Sequence, residues 1–483
     1  MAATNPAIMA PRPVVTSRPT WIDAAMGILV GVAGGVLQSH ILHSSSLSGI
    51  GLGAGFGLVV SLVFSQRTSS SGAGLIWGLS SALLLWVVIP AAGMLSHSVH
   101  DSNQMLAAAR NRFPDLAAYL ICMGAPTGLA LGIRGSLLNA HSNLPFRWSR
   151  AILAGGIAGI ASGLFFAYWM SQDGFFPLLA GLGRIESHTL EVILHFVVAS
   201  AIGSTFGLLF QRDVRGYGSC MAWGLGYAVF WWFAGPLSLF PLMRGLPLNW
   251  STDSAADLFG PLVGFILYGL ILGVIYAVLD KAWVRLFIQS DPLNREPDGP
   301  GFRLFRSLQW GAIAGLVGGI VSSPFLFAAH VLRNIVGVDT HLSTSGGLVV
   351  HLLVSAIIGM SYGVLFRDEA SNVGMASAWG GMFGLIWWYI GPLTLLPFIL
   401  TGEIDWRIKA VSTLLPALLG HLIYGACTAC IFYVLERNDV RKRVLDARMG
   451  AREFRRLRPV GTPAPAIWFL ALTLGIVIPL LLN

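Results

Sequence analysis

The chain has 483 residues, of which 55% are hydrophobic and only 11% charged, with a mean hydropathy of +0.72; a soluble domain carries about 25% charged residues. This excludes an ordinary water-soluble globule and points to an all-α polytopic membrane protein. The formal net charge of +8 does not read as nucleic-acid binding, because the basic residues are sorted by side of the membrane.

In chain order, residues 1–20, with Pro6, Pro11, Pro13 and Pro19, read as a short cytoplasmic tail that lacks the regions of a cleavable secretory signal. About thirteen transmembrane helices follow, predicted at 21–42, 48–65, 73–95, 116–133, 150–170, 190–211, 217–240, 257–280, 307–330, 347–367, 373–395, 411–436 and 465–482. The first twelve group as three four-helix repeats, 21–134, 149–281 and 307–436. A cytoplasmic linker, 282–306, separates the last two repeats, and a basic segment, 437–463, precedes the final helix, 464–483.

The repeat is visible as spacing. His195, Gly203, Gly207, Phe210, Trp223-Gly224, Trp231-Trp232, Gly235-Pro236 and Pro241 recur 156 positions later as His351, Gly359, Gly363, Phe366, Trp379-Gly380, Trp387-Trp388, Gly391-Pro392 and Pro397. Gly57, Phe64, Trp77-Gly78, Trp86 and Pro90 form a fainter copy 146 positions upstream of the middle one. Four helices is an even number, so the repeats are parallel and imply a pseudo-threefold axis, as in a fused trimer. The first helix of each repeat carries glycines about four apart around Gly31, Gly159 and Gly315. That spacing puts them on one helical side, for close packing within repeats or around a common centre.

Of the 30 Lys and Arg, only Arg110, Arg112, Arg184, Arg244, Arg333, Arg407 and Lys409 fall outside if the N-terminus is inside. This positive-inside bias puts the N-terminus in the cytoplasm and, with thirteen helices, the C-terminus outside. The basic segment holds nine Lys and Arg; it reads either as an amphipathic stretch on the anionic leaflet or as a plain inner loop.

Ten of the eleven histidines fall in the outer half. His195, His351 and His421 are candidates for pH sensing or for lining a cavity. His40 with His43, and His97 with His100, have the i,i+3 spacing that puts two imidazoles on one helical face, as a metal or haem site requires. The competing reading is that these rings cap helix ends or bond to backbone. Trp231, Trp232, Trp387 and Trp388 read as interfacial anchors, or as an aromatic wall for a lipid or quinone tail, with a break or kink expected at each following Gly-Pro. Cys427-x-x-Cys430 lies in a hydrophobic helix and reads as packing. No Lys, Arg, Asp or Glu sits at the centre of a predicted span, which argues against an ion-coupled pump. No nucleotide-binding, zinc-protease or hydrolase motif is present, so no catalytic residue is assigned.

At these residues the repeat resembles the YagU-like bacterial inner-membrane proteins. The resemblance rests on Gly311 to Gly319, His351 to Gly363 with Tyr362, Gly380 to Pro397, and Gly420-His421-Leu422 leading to Glu436-Arg437. It is fullest in the third repeat. In the second, Phe265 stands for His421 and Phe206 for Tyr362, and in the first Gly49 stands for the helix-opening His. The resemblance implies a protein of the bacterial inner (plasma) membrane linked to acid tolerance. The resulting expectation is a non-enzymatic membrane protein, pH-responsive in membrane homeostasis or in small-solute or lipid handling. One alternative is an accessory or scaffold subunit of a respiratory or photosynthetic complex, with the bilayer and neighbouring subunits as partners through the thirteenth helix and the aromatic surfaces. Another is a haem- or metal-binding electron-transfer subunit. No cofactor is otherwise expected, and no nucleic-acid partner.

Overall fold

The computed structural model describes residues 21–65, 70–97, 102–138, 146–172, 188–214, 216–287, 300–328, 344–367, 369–444 and 463–481. The expected N-terminal tail, residues 288–299 of the linker and residues 445–462 of the basic segment lie outside the described residues. Inside lipid every backbone polar group must be satisfied within its own segment, so apolar runs of about twenty residues become helices. Among the described residues there is no strand.

The helices are α1 Trp21–Ile41, α2 Ser46–Phe64, α3 Ser71–His97, α4 Ser102–Asn111, α5 Phe113–Ala118, α6 Ala125–Leu138, α7 Trp148–Gln172, α8 His188–Phe210, α9 Tyr217–Ala234 and α10 Phe240–Met243. They continue as α11 Thr252–Asp257, α12 Phe259–Phe287, α13 Pro300–Ala328, α14 Thr344–Phe366, α15 Val373–Ile390, α16 Leu396–Thr401, α17 Ile408–Ser412, α18 Leu415–Val444 and α19 Ala464–Leu481. Twelve helical runs are long and apolar enough to cross a bilayer, and the thirteenth, Ala464–Ile478, is a shorter apolar helix. This is an all-α, multi-pass membrane protein.

Two expected boundaries shift. The linker ends earlier than expected, because α13 already begins at Pro300. The twelfth span runs on to Val444, so the first residues of the basic segment continue a helix instead of opening a loop.

The chain divides into two compact units, residues 1–87 with 118–143, and residues 88–117 with 144–483. In the first unit α1 packs on α2. A Cβ added to Gly31 would strike Gly53 O, and one added to Gly53 would strike Gly31 O. Gly78 and Gly124 oppose each other in the same way.

In the second unit the reciprocal contact appears four times. Gly155 meets Gly203 between α7 and α8, Gly224 meets Gly269 between α9 and α12, Gly311 meets Gly359 between α13 and α14, and Gly380 meets Gly425 between α15 and α18. Helices in lipid gain little from hiding apolar surface, so backbone-to-backbone approach is what joins them. The glycines around Gly31, Gly159 and Gly315 therefore pack the first helix within its own set, chiefly on the second helix and, at Gly34 and Gly318, on the last, not around a common centre. Helix α7 shows the matching side-chain sorting. Ala151, Ala154, Ala158 and Ser162 are buried, whereas Leu153, Ile157, Ile160 and Leu164 are exposed and face the lipid.

Helix α19 packs against α9 and α15 and also against α4, α11 and α17. The last three share one place in the chain, each coming directly before the last span of its set of four. Ala466, Trp468, Phe469, Leu472, Ile476 and Val477 of α19 are buried, leaving Ile467, Ala471 and Ile478 as its exposed stripe.

Two neighbouring glycines of α2 separate close approach from composition. Gly53 lies against the Gly31 backbone, while a Cβ added to Gly55 would meet nothing within 4 Å. Gly53→Ala should cost about 1–3 kcal/mol through overpacking. Gly55→Ala should be neutral or stabilise by up to about 1 kcal/mol through helix propensity. Thermal unfolding in detergent checks both, and equal effects would mean that the backbone contact does not hold the pair.

Candidate functional site

Three histidines of the second unit, His195, His351 and His421, bond to carbonyl groups. His195 Nε2 donates to Gly163 O at 2.9 Å and His351 Nε2 to Gly319 O at 3.2 Å, each bond tying the second helix of a set to the first. Both rings are buried. His421 Nδ1 donates to Ala417 O of its own helix at 2.9 Å. Next to lipid a ring nitrogen needs a partner, and the exposed carbonyl of a glycine-packed helix supplies one. Tyr268 and Tyr424 do the same, donating to Ala199 O at 2.8 Å and Ser355 O at 2.6 Å.

The first expected metal pair is not assembled. Helix α1 ends at Ile41, and His43 adopts φ 51°, in the left-handed region. Ser44 N donates to Ser39 O across it, the closing bond of a glycine-type helix stop. His40 and His43 therefore do not share a helical face, and both are exposed. His100 and the side chain of His97 lie outside the described residues. Among the described residues no three of His, Cys, Asp and Glu come together. Cys122 and Cys220 are buried, and Cys427 and Cys430 are half-buried.

The tryptophan pairs divide by position. Trp232 and Trp388 are fully buried, and their indole N–H groups donate to Leu258 O and Leu414 O, each at 3.0 Å. These two are internal pins, a correction to the anchoring reading: a buried indole spends its N–H on protein, not on the headgroup layer. Trp231 and Trp387 are half-buried.

The Gly-Pro sequences that follow do not break the helix. Gly235–Leu239 and Gly391–Leu395 are π-helical turns that lead into α10 and α16. Proline lacks an N–H and its ring crowds the carbonyl four residues back, so the helix widens by one residue. A hydroxyl then takes up a freed carbonyl: Ser238 Oγ donates to Phe233 O at 2.7 Å and Thr394 Oγ1 to Tyr389 O at 2.8 Å. Trp250 Nε1 donates in turn to Ser238 Oγ at 3.1 Å. In the loop between α16 and α17, hydrogen bonds from Arg407 hold the Asp405 carboxyl below its usual range.

Ion pairs between the first and last helices of a set were not anticipated from sequence. In the first unit Arg134 pairs with Asp23 at 2.5 Å. In the second, Arg150 pairs with Asp280 at 3.1 Å and Arg306 with Asp439 at 3.4 Å, while Arg367 pairs with Glu436 at 3.3 Å. The 156-residue offset carries Arg150 to Arg306 and Asp280 to Glu436, but the pairing is not copied, because Arg306 takes Asp439 and Glu436 takes Arg367. Near the same end, Glu369 Oε1 accepts from Ser219 N at 3.2 Å and Ser219 Oγ at 2.9 Å, so a buried carboxylate from the third repeat caps α9 of the second. Gly216, the N-cap of α9, has no side chain, and a Cβ there would strike that carboxylate.

Comparison with known families, curated proteins and solved structures finds no match to this chain.

The side chains of Arg150 and Asp280 are only 4% and 11% exposed, so each needs the other. Asp280→Asn should destabilise by about 3–5 kcal/mol, because the guanidinium is left buried and uncompensated. Combining Arg150→Met with Asp280→Leu should recover most of the loss. Chemical or thermal unfolding in detergent reads both, and a mild single variant would show that the pair is solvated.

Proposed function

We propose that the chain is a non-enzymatic protein of the bacterial inner membrane, built from three YagU-like four-helix repeats with its N-terminus cytoplasmic and its C-terminus outside. Its role is that of an accessory or scaffold subunit in a larger membrane complex, not a conduit for solute. One observation carries this reading. The place bordered by α4, α11 and α17, the natural site for a path between repeats, is filled by α19 with Ala466, Phe469, Leu472, Ile476 and Val477. A solute path needs polar groups facing a water-filled space. His195, His351, Tyr268 and Tyr424 are instead bonded to carbonyl groups.

The helices away from α19 offer broad apolar faces. Leu153, Ile157, Ile160 and Leu164 of α7, with Leu353, Val354 and Ile357 of α14, are exposed and suit lipid or the helices of neighbouring subunits.

Purification from native membranes in mild detergent, with mass spectrometry of what accompanies the chain, tests the proposal. Stoichiometric membrane subunits that persist through size exclusion are expected. Recovery of the chain alone across a series of mild detergents would overturn the scaffold reading and return the pH-responsive one to first place.

A further inference from the structure

The third helix of each set begins at an equivalent place, and its first turn is closed in two different ways. At the start of α15, Asn372 Oδ1 accepts from Met375 N at 2.9 Å. At the start of α3, Ser70 Oγ accepts from Ala73 N at 3.1 Å. Both are ordinary N-caps, in which a side chain just ahead of the helix takes up an amide that has no partner inside it. The 156- and 146-residue offsets carry Asn372 and Ser70 to Gly216, and Met375 and Ala73 to Ser219. Gly216 keeps the extended backbone of an N-cap, with φ −123° and ψ 179°, but has no side chain to give.

The second set therefore holds half of a capping box. Gly216 N donates to Ser219 Oγ at 3.0 Å, the half in which the third helical residue reaches back. The other half comes from the third set, where Glu369 Oε1 accepts from both Ser219 N and Ser219 Oγ. Glu369 is itself held within its own set. Its N–H donates to Phe366 O at 3.2 Å, and its carbonyl accepts from Trp379 Nε1 at 3.1 Å. The close fit excludes a side-chain cap of the usual kind. A Cβ added to Gly216 would strike the Glu369 carboxylate, and one added to Gly218 would strike the Phe366 ring and Leu365 O.

We propose that Glu369 is a latch between the second and third sets, so that the first turn of α9 is closed only while the loop between α14 and α15 is seated against it. The turn has two arrangements, capped and frayed, and Gly216 carries no side chain that could stand in for the carboxylate when it leaves. A change in the third set that moves Glu369 is thereby felt at α9, the helix that packs on α19 and whose Trp232 is pinned to Leu258 O. The starts of α3 and α15 are capped by their own residues and have no such dependence. Glycine and glutamate are two halves of one device: Gly216 admits the carboxylate, and its lack of a side chain makes the carboxylate necessary.

Hydrogen exchange of the purified full-length protein in detergent, read by mass spectrometry over the first turns of α3, α9 and α15, tests the latch. Glu369→Ala should speed exchange at the start of α9 by about 5- to 30-fold, the ratio that losing a helix cap gives, and leave the starts of α3 and α15 unchanged. Adding Gly216→Asn, which copies the cap of α15, should return α9 to the wild-type rate. An unchanged rate at α9 in Glu369→Ala would overturn the proposal. Trp379→Phe separates a latch from a passive contact. By releasing Glu369 O it should speed exchange at α9 in the wild-type background and not in the Gly216→Asn, Glu369→Ala background; equal effects in both would also overturn it. If Glu369→Ala does not fold, the double variant decides. A folded double variant with a protected α9 supports the latch, and failure of both to fold shows that the carboxylate is not a replaceable cap and sinks it.

Discussion

Direct contact between helix backbones at paired glycines is the constraint on which the rest of this structure depends. Among the described residues such contacts recur, as between Gly31 and Gly53, Gly78 and Gly124, Gly155 and Gly203, Gly224 and Gly269, Gly311 and Gly359, and Gly380 and Gly425. Each puts a carbonyl of one helix where a side chain of the other would have stood. Lipid tails are as apolar as leucine, so burying large side chains gains little in a membrane. Close approach gains dispersion and weak Cα–H···O contacts instead. The large residues are then free to face outward, as Leu153, Ile157, Ile160 and Leu164 do.

The polar side chains follow from the same geometry. Glycine-packed helices present carbonyl groups that no neighbouring side chain covers. Six inward polar groups settle on these and on carbonyls at helix ends: His195 on Gly163, His351 on Gly319, Tyr268 on Ala199, Tyr424 on Ser355, Trp232 on Leu258 and Trp388 on Leu414. Even the prolines fit this pattern. Gly235-Pro236 and Gly391-Pro392 each open a π-turn, and a serine or threonine hydroxyl two residues after the proline takes up the carbonyl that the turn frees. A polar residue in lipid is here an internal fastener.

Helix α19 gives the second unit its centre. It meets the same small helix before the last span three times over, and it meets the third helix of two sets. A single helix among several equivalent neighbours must be apolar on nearly every side, and its buried residues are, Thr473 apart. That filled centre leaves the lipid-facing hairpins as the exposed apolar surfaces of the unit.

By itself the sequence determined that this is an all-α, multi-pass protein. Apolar runs of about twenty residues have one stable form in a bilayer, and the recurring glycines and the 156-residue offset were legible because period and composition are one-dimensional properties. The expectation that Gly31, Gly159 and Gly315 mark close packing was readable for the same reason. What they pack against was decided by the tertiary structure, because a helical face does not name its neighbour. The i,i+3 spacing of His40 and His43 suggested a shared face, yet the chain leaves the helix between them. Trp232 and Trp388 were indistinguishable from their partners Trp231 and Trp387 until burial separated them. Arg150 with Asp280, 130 positions apart, and Glu369 with Ser219, 150 apart, meet only because the helices between them fold back. Sequence carries local periodicity and composition; which polar group faces which is fixed only when distant segments share one layer of space.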